Sequence, residues 1–116
     1  MPSRAIAARE LAKLFAVFSH PDRLRIVEEL RDGERDVNAL QDALGVTHSR
    51  TSQNLALLRA HRIVVERREG RHVLYRLVHP EIADWVLGGF PFLEADLADV
   101  AERRLAIEAA RQVWKG

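Results

Sequence analysis

The sequence predicts a mainly α-helical fold with one β-hairpin, in the order four helices, two strands and two helices. Apolar residues recur at helical spacing over most of the chain. A short helix, a glycine and a second helix with a polar face form a helix-turn-helix pattern. An alternating stretch on either side of Gly70 is typical of two strands joined by a turn. The 116 residues suffice for one domain, so we expect residues 1–116 to form a single unit.

The first two helices are separated by a proline. Apolar side chains at helical spacing predict a first helix over residues 4–18. Proline favours the first position of a helix, so Pro21 predicts a second helix with His20 as its N-cap, ending near Arg31.

The helix-turn-helix is predicted over residues 36–60. Asp36 is expected to cap the third helix, Gly45 to end it with a positive φ, and Thr47 to cap the fourth. Residues 51, 55 and 58 then form an inward face of the fourth helix. Its polar side chains point elsewhere: His48, Ser49, Ser52 and Gln53.

The hairpin is predicted over residues 63–77, with Gly70 in the turn. His79 precedes a proline, as His20 does, and is expected to cap a fifth helix in the same way. Residues 88–91 end that helix, and a last long helix is expected over residues 93–114. A core of this size has little room for the apolar stripes of both the first and the last helix. We therefore expect these two helices to form a dimer interface with a second copy.

The charge distribution indicates a polyanion-binding face. The net charge is only +1, yet residues 47–76 hold seven arginines against two glutamates. Arginine forks suit phosphates and base edges better than lysine does. A solvated basic surface without a target is the alternative that charge leaves open.

Several classes of function are excluded or disfavoured by composition. The chain has no cysteine, which excludes disulfides, thiolate metal sites and cysteine nucleophiles. It has no glycine-rich phosphate loop, no nucleophile with a plausible histidine and carboxylate, and no metal-binding constellation, so we do not expect an enzyme. No signal sequence or membrane span is evident, so a cytoplasmic location is expected.

Three stretches resemble the ArsR/SmtB family of transcriptional repressors. Residues 18–27, FSHPDRLRIV, resemble the family's DPTRLRIL opening, and residues 40–55, LQDALGVTHSRTSQNL, resemble LAEALGLSQSTVSHHL. Residues 59–64 and then 67–75, RREGRHVLY, resemble the family's wing. The resemblance covers residues 10–80 and implies a dimeric winged helix-turn-helix that binds an inverted-repeat operator in double-stranded DNA.

The resemblance also implies which residues contact DNA. The fourth helix would enter the major groove, where Arg50 could bind guanine O6 and N7 and Gln53 could pair with adenine. The hairpin would contact phosphates or the minor groove. The implied DNA-binding residues are His48, Ser49, Arg50, Ser52, Gln53, Arg67, Arg68, Arg71 and His72.

The family's known sensor sites are missing from this sequence. Asp36 and Asn38 stand where one common site has cysteines, and soft metals require thiolates. The best register of the family's site on the last helix begins at Asp96 and then meets Ala98, Ala109 and Gln112. We therefore expect no metal, no cofactor and no sensing by the known sites. An effector of another kind stays possible.

Two alternatives to repression stay open at this point. An antirepressor that displaces another DNA-bound protein would use the same DNA chemistry. A protein-interaction module would use the helix-turn-helix as a scaffold, with the acidic C-terminal segment as its binding surface.

Overall fold

The computed structural model describes residues 2–96 and 101–115 and divides into two compact units, Met1–His79 and Pro80–Gly116. The helices are α1 Pro2–Val17, α2 Pro21–Leu30, α3 Val37–Leu44, α4 His48–Ala60, α5 Ile82–Leu87, α6 Phe90–Asp96 and α7 Ala101–Lys115. The strands are β1 Arg35–Asp36, β2 Val64–Glu69 and β3 His72–Leu77.

Side-chain caps define the helix starts in the first unit. His20 accepts a hydrogen bond from the Asp22 N–H, Asp36 from the Asn38 N–H and Thr47 from the Arg50 N–H. All three caps confirm the sequence predictions. Gly45 follows α3 with a φ of 69°, which places the chain in the left-handed region that glycine tolerates best.

The core of the first unit is formed by α2, α3, α4 and the base of the hairpin. Thr51, Leu55 and Leu58 on α4 are completely buried, as the sequence predicted. They share the interior with further apolar side chains of the same unit. The fully buried ones are Ile26, Val27, Leu30, Leu40 and Val64.

The sheet has three antiparallel strands in the order β1-β3-β2. The hairpin and its turn at Gly70, which has a φ of 60°, confirm the predicted wing. The sequence missed β1, which pairs Asp36 with Leu74 of β3. A strand of only two residues carries no period that a sequence could reveal.

The second unit differs from the prediction in two places. The N-cap of α5 is Glu81 and no side chain caps this helix, so the capping role predicted for His79 is wrong. Helix α6 begins at Phe90 rather than at residue 93, with Pro91 in its first turn, where its missing N–H costs nothing. The sequence predicted one continuous helix over residues 93–114. Residues 97–100, between α6 and α7, are not among the described residues, so this prediction stays untested. Ala98, at the second position of the tested metal-site register, lies outside them too.

Each unit has exposed apolar side chains on its terminal helices. On α1, Ile6 is 57% exposed and Leu11 is 49% exposed. On α7, Leu105 is 71% exposed. Within the described ranges, no helix is both long and apolar enough to cross a membrane.

Candidate nucleic-acid interface

Helix α4 has one buried and one exposed face. Thr51, Leu55 and Leu58 point into the core, and the Thr51 hydroxyl donates to the Thr47 carbonyl at 3.0 Å. On the other side, Ser49 and Gln53 are exposed and make none of the hydrogen bonds or ion pairs found among the described residues. The fold therefore leaves these two polar groups available to a ligand.

His48 joins the two helices of the motif and also contacts Ser52 on its own helix. The His48 ring lies between the Gln41 side-chain oxygen on α3 and the Ser52 hydroxyl, with both distances at 3.3 Å. A neutral imidazole that donates from Nδ1 and accepts at Nε2 satisfies both contacts. Both residues were predicted to contact DNA; here His48 also links α3 with α4, and Ser52 contacts its ring.

Arg50 forms an ion pair with the first turn of α2. Its Nη2 donates to Asp22 Oδ2 at 2.6 Å, while its side chain stays 54% exposed. A guanidinium has five N–H donors, so the contact with Asp22 leaves part of the fork available to a base or a phosphate. Sequence spacing gave no signal for this pair, whose members are 28 residues apart.

A set of polar contacts connects α4 with α2 and with the end of α1. Asn54 is 91% buried, donates to the Arg50 carbonyl at 3.0 Å and accepts from Arg23 Nη1 at 3.2 Å. Arg23 Nε also donates to the carbonyl of Val17, the last residue of α1. The orientation of α4 is therefore linked to the end of α1.

Residues that face each other across a ladder project to the same side of a sheet, so the hairpin has two distinct faces. The ladder pairs Arg67 with Leu74 and Glu69 with His72, and these four residues lie on one face. The pairs Arg68–Val73 and Glu66–Tyr75 lie on the other face. The three predicted arginines of the wing are therefore in different surroundings.

Arg67 is held by carboxylates. Its Nε and Nη2 donate to the two oxygens of Glu34, both at 2.7 Å, and Nη2 also donates to Glu69 at 2.9 Å. This bidentate hydrogen bond keeps the pKa of the Glu34 carboxyl below its ordinary value and raises the pKa of Arg67.

His72 is held in a similar way by the cap of α3. Its Nδ1 donates to Asp36 Oδ2 at 2.8 Å, while Asp36 Oδ1 accepts from the Asn38 N–H at 2.7 Å. The hydrogen bond from His72, followed by that from Asn38, lowers the pKa of Asp36. One carboxylate thus connects the start of α3 with the start of β3.

Arg68 and Arg71 differ from Arg67. Both are exposed at the end of the hairpin, and neither takes part in the ion pairs found in the described part of the chain. They lie beside the turn at Gly70, the part of the hairpin that projects furthest from its buried base at Val64 and Leu77.

The opposite face of the hairpin is fixed to α4 through Glu66. Arg59 Nη1, in the last turn of α4, pairs with Glu66 Oε1 at 2.7 Å, and the Tyr75 hydroxyl donates to Glu66 Oε2 at 3.0 Å. Burial, and then the hydrogen bond to Glu66, raises the pKa of Tyr75. Helix α4 and the hairpin are therefore linked by charged as well as apolar contacts.

Comparison with known proteins gives a consistent result for this part of the chain. Residues 20–65 match the pattern described as "Bacterial regulatory protein, arsR family". A biofilm growth-associated repressor of Xylella fastidiosa is 38% identical over 79 residues, which are 68% of this chain and 69% of that protein. The chain belongs to the arsR family. Members of that family are regulatory proteins, so the chain is not classed with enzymes.

Two further comparisons extend the family relationship. The transcriptional repressor SmtB of Mycobacterium tuberculosis is 43% identical over 88 residues, which are 74% of this chain and 63% of SmtB. The matched part thus spans somewhat less than two thirds of SmtB. The solution structure of a homodimeric winged helix-turn-helix DNA-binding domain from Mycobacterium bovis, described as a possible ArsR-family regulator, has a TM-score of 0.62 and 29% identity. The structural match covers 88% of this chain and 87% of the Mycobacterium bovis chain. The winged helix-turn-helix fold predicted from the sequence is confirmed.

Among the residues whose side chains the structure describes, 2–93 and 103–115, no group of three or more His, Cys, Asp or Glu could hold a metal ion. Asp36 stands at one of the positions where the family resemblance places cysteines. Its two carboxylate oxygens accept hydrogen bonds from the Asn38 N–H and from His72.

Proposed function

We propose that this chain is a homodimeric, sequence-specific DNA-binding repressor that acts in the cytoplasm. Residues 36–60 form its helix-turn-helix, residues 63–77 its wing and residues 93–114 its dimerisation segment. The observation that carries the proposal is the two-sided character of α4. One side is completely buried, and the other presents Ser49, Arg50 and Gln53 to solvent beside an arginine-rich hairpin.

We assign different DNA contacts to α4 and to the wing, on the basis of the dimensions of the helix and the charge of the hairpin. Helix α4 is 13 residues long, or about 20 Å, and fits a major groove. Its exposed side chains would contact base edges, and the arginines of the wing would contact the sugar-phosphate backbone, which sets affinity more than sequence preference.

A second copy is proposed as the occupant of the exposed apolar stripes. Ile6 and Leu11 on α1 and Leu105 on α7 are exposed in the single chain. A similar structure is described as a homodimer. A two-fold dimer would present two α4 helices about one turn of DNA apart, which is the geometry of an inverted repeat.

Selection of duplexes from a random-sequence pool with the purified protein tests the proposal. We expect an inverted repeat to be enriched. Its affinity should fall steeply with salt, with a log–log slope of about −0.9 for each phosphate contacted. The absence of enrichment, or an affinity that salt does not change, would contradict a DNA-binding function.

Substitution of Gln53 by Ala tests the assignment of α4. The variant should lose about 1–3 kcal/mol of discrimination at one base position of each half-site, because a bidentate contact is lost. Lys13→Ala is the control, since Lys13 pairs with Glu10 within α1. Equal effects of the two substitutions would contradict the placement of α4 in the groove.

A further inference from the structure

The basic side chains of the wing fall into two groups. All four side chains are exposed, but Arg67 and His72 are bound by the carboxylates of Glu34 and Asp36, whereas Arg68 and Arg71 take part in none of the ion pairs found among the described residues. Family resemblance treats all four as DNA contacts. Their different surroundings suggest different roles.

The carboxylates belong to the segment that leads into the helix-turn-helix. Asp36 caps α3, and β1, which begins directly after Glu34, pairs with β3 through Arg35–Tyr75 and Asp36–Leu74. A side chain that binds this segment is therefore connected to the base of the helix-turn-helix. We call residues 34–36 the acidic anchor.

The Glu34–Arg67 pair spans the whole width of the sheet. The strand order is β1-β3-β2, and Asp36 and Arg67 both lie opposite Leu74 in the ladders. Arg67 on β2 thus reaches across β3 to the acidic anchor, over about 10 Å of sheet at 4.8 Å per strand. Its bidentate geometry fixes direction as well as distance.

A hairpin with only two strands twists easily and is marginally stable, because little apolar surface supports it. Residues 67–72 of this hairpin are exposed, because Val64, Leu77 and the Arg59–Glu66 pair hold only the part nearer its base. A contact that spans the sheet on one face therefore restricts the direction in which the tip points.

We propose that Arg67 and His72 are positioning residues, which fasten the wing to the acidic anchor, and that Arg68 and Arg71 make the phosphate contacts. This inference rests on the proposed DNA-binding function. It leads to an unusual consequence: removing a negative charge from the acidic anchor weakens DNA binding.

The decisive variant is Glu34→Gln, which keeps the shape of the side chain but releases Arg67. If Arg67 positions the wing, affinity for the selected duplex falls by about fivefold, the range of a surface ion pair. If Arg67 is itself a phosphate contact, the freed guanidinium and the added positive charge raise affinity. The two roles predict opposite signs.

The salt dependence of binding separates the two groups of arginines. Arg71→Gln should reduce the slope by about 0.9 for each copy in the dimer, because a phosphate contact is lost. Arg67→Gln should lower affinity and leave the slope close to that of the unmodified protein. An equal change of slope in the two variants would overturn the inference.

A charge swap controls for a defect in folding. Arg67→Glu alone should bind weakly, and combining it with Glu34→Arg should restore binding because the pair is rebuilt in reverse. Urea unfolding should give nearly the same midpoint for Glu34→Gln as for the unmodified protein, since an exposed pair contributes little to stability. Failure of the swap to restore binding would count against a positioning role.

For His72, Asp36→Asn removes the charged partner and keeps a side chain that can cap α3. It should weaken binding in the same direction as Glu34→Gln.

Unmodified protein that binds no duplex would overturn the proposed function and this inference together. Unmodified protein that binds, with both anchor variants binding more tightly, would overturn the inference alone.

Discussion

Single side chains in this protein connect elements that are distant in sequence. Asp36 caps α3 and accepts from His72, 36 residues further along the chain. Asn54 is the corresponding case in the interior, because it joins α4 to Arg23 of α2. Both residues make contacts that their own element does not require, so their substitution should have effects beyond that element.

Asp36 should contribute stability only above the acid range. Its pKa is lowered in the folded state, so its carboxylate stabilises the fold above the unfolded pKa, near 4, and this contribution is lost as pH falls through the lowered value. Asp36→Asn should therefore lower the urea midpoint at pH 7, and the difference from the unmodified protein should shrink below about pH 4. A difference that stays constant from pH 7 to pH 3 would contradict this.

Asn54 should be costly to truncate. Replacing it by Ala leaves Arg23 without its side-chain acceptor in a partly buried site, which is expected to cost about 1–3 kcal/mol of unfolding free energy. Its neighbour Gln53 is exposed, and Gln53→Ala should stay within about 0.5 kcal/mol. Urea unfolding measures the free energy of unfolding of both variants. Equal losses would show that the Asn54 hydrogen bonds do not contribute to stability.

At the scale of elements, the end of α4 contains the one described non-glycine residue with a positive φ. Arg62 has a φ of 59° and follows His61, the C-cap of the helix. The Ile63 N–H donates to the Leu58 carbonyl at 2.9 Å, so this turn determines how β2 leaves the helix. The left-handed conformation costs a residue with a Cβ about 1–2 kcal/mol.

Arg62→Gly should therefore raise stability by up to about 1 kcal/mol, since relief of the backbone strain exceeds the added entropy of the unfolded chain. Arg62→Ala is the matched control, because it removes the guanidinium and keeps the Cβ. Thermal or urea unfolding measures both. A glycine variant no more stable than the alanine variant would argue against strain at this turn.

At the scale of the whole molecule, the apolar stripes of the terminal helices remain exposed in a single chain. Ile6 and Leu11 belong to the first unit and Leu105 to the second. Exposed apolar stripes on separate helices are typical of chains that associate. The proposed dimer would couple assembly to DNA binding, because only the pair presents two α4 helices to one duplex.

Leu11→Glu should shift the protein toward monomers and reduce affinity for the inverted repeat, because burying an unpaired carboxylate in an apolar interface is unfavourable. Arg9→Glu is the control, since Arg9 lies about 200° around α1 from Leu11. Sedimentation equilibrium at micromolar concentration measures the dimer fraction. Identical dimer fractions in the two variants would place the interface elsewhere.

The sequence by itself determined the parts of the fold that depend on neighbouring residues. Caps at His20, Asp36 and Thr47, and turns at Gly45 and Gly70, follow from local backbone chemistry and were all predicted. The inward face of α4 follows from a period of 3.6 residues. Where local chemistry was ambiguous, as at His79 and Phe90, the predicted helix starts were wrong.

Only the tertiary structure decided which predicted site residues already have partners. Arg67 and Arg68 are adjacent in sequence, equally basic and both exposed, yet Arg67 is bound by Glu34 and Arg68 takes part in none of the ion pairs found among the described residues. The reason is that strand pairing brings together residues 33 positions apart and sends neighbouring side chains to opposite faces. No local pattern contains that information, because it arises from the order and register of the strands.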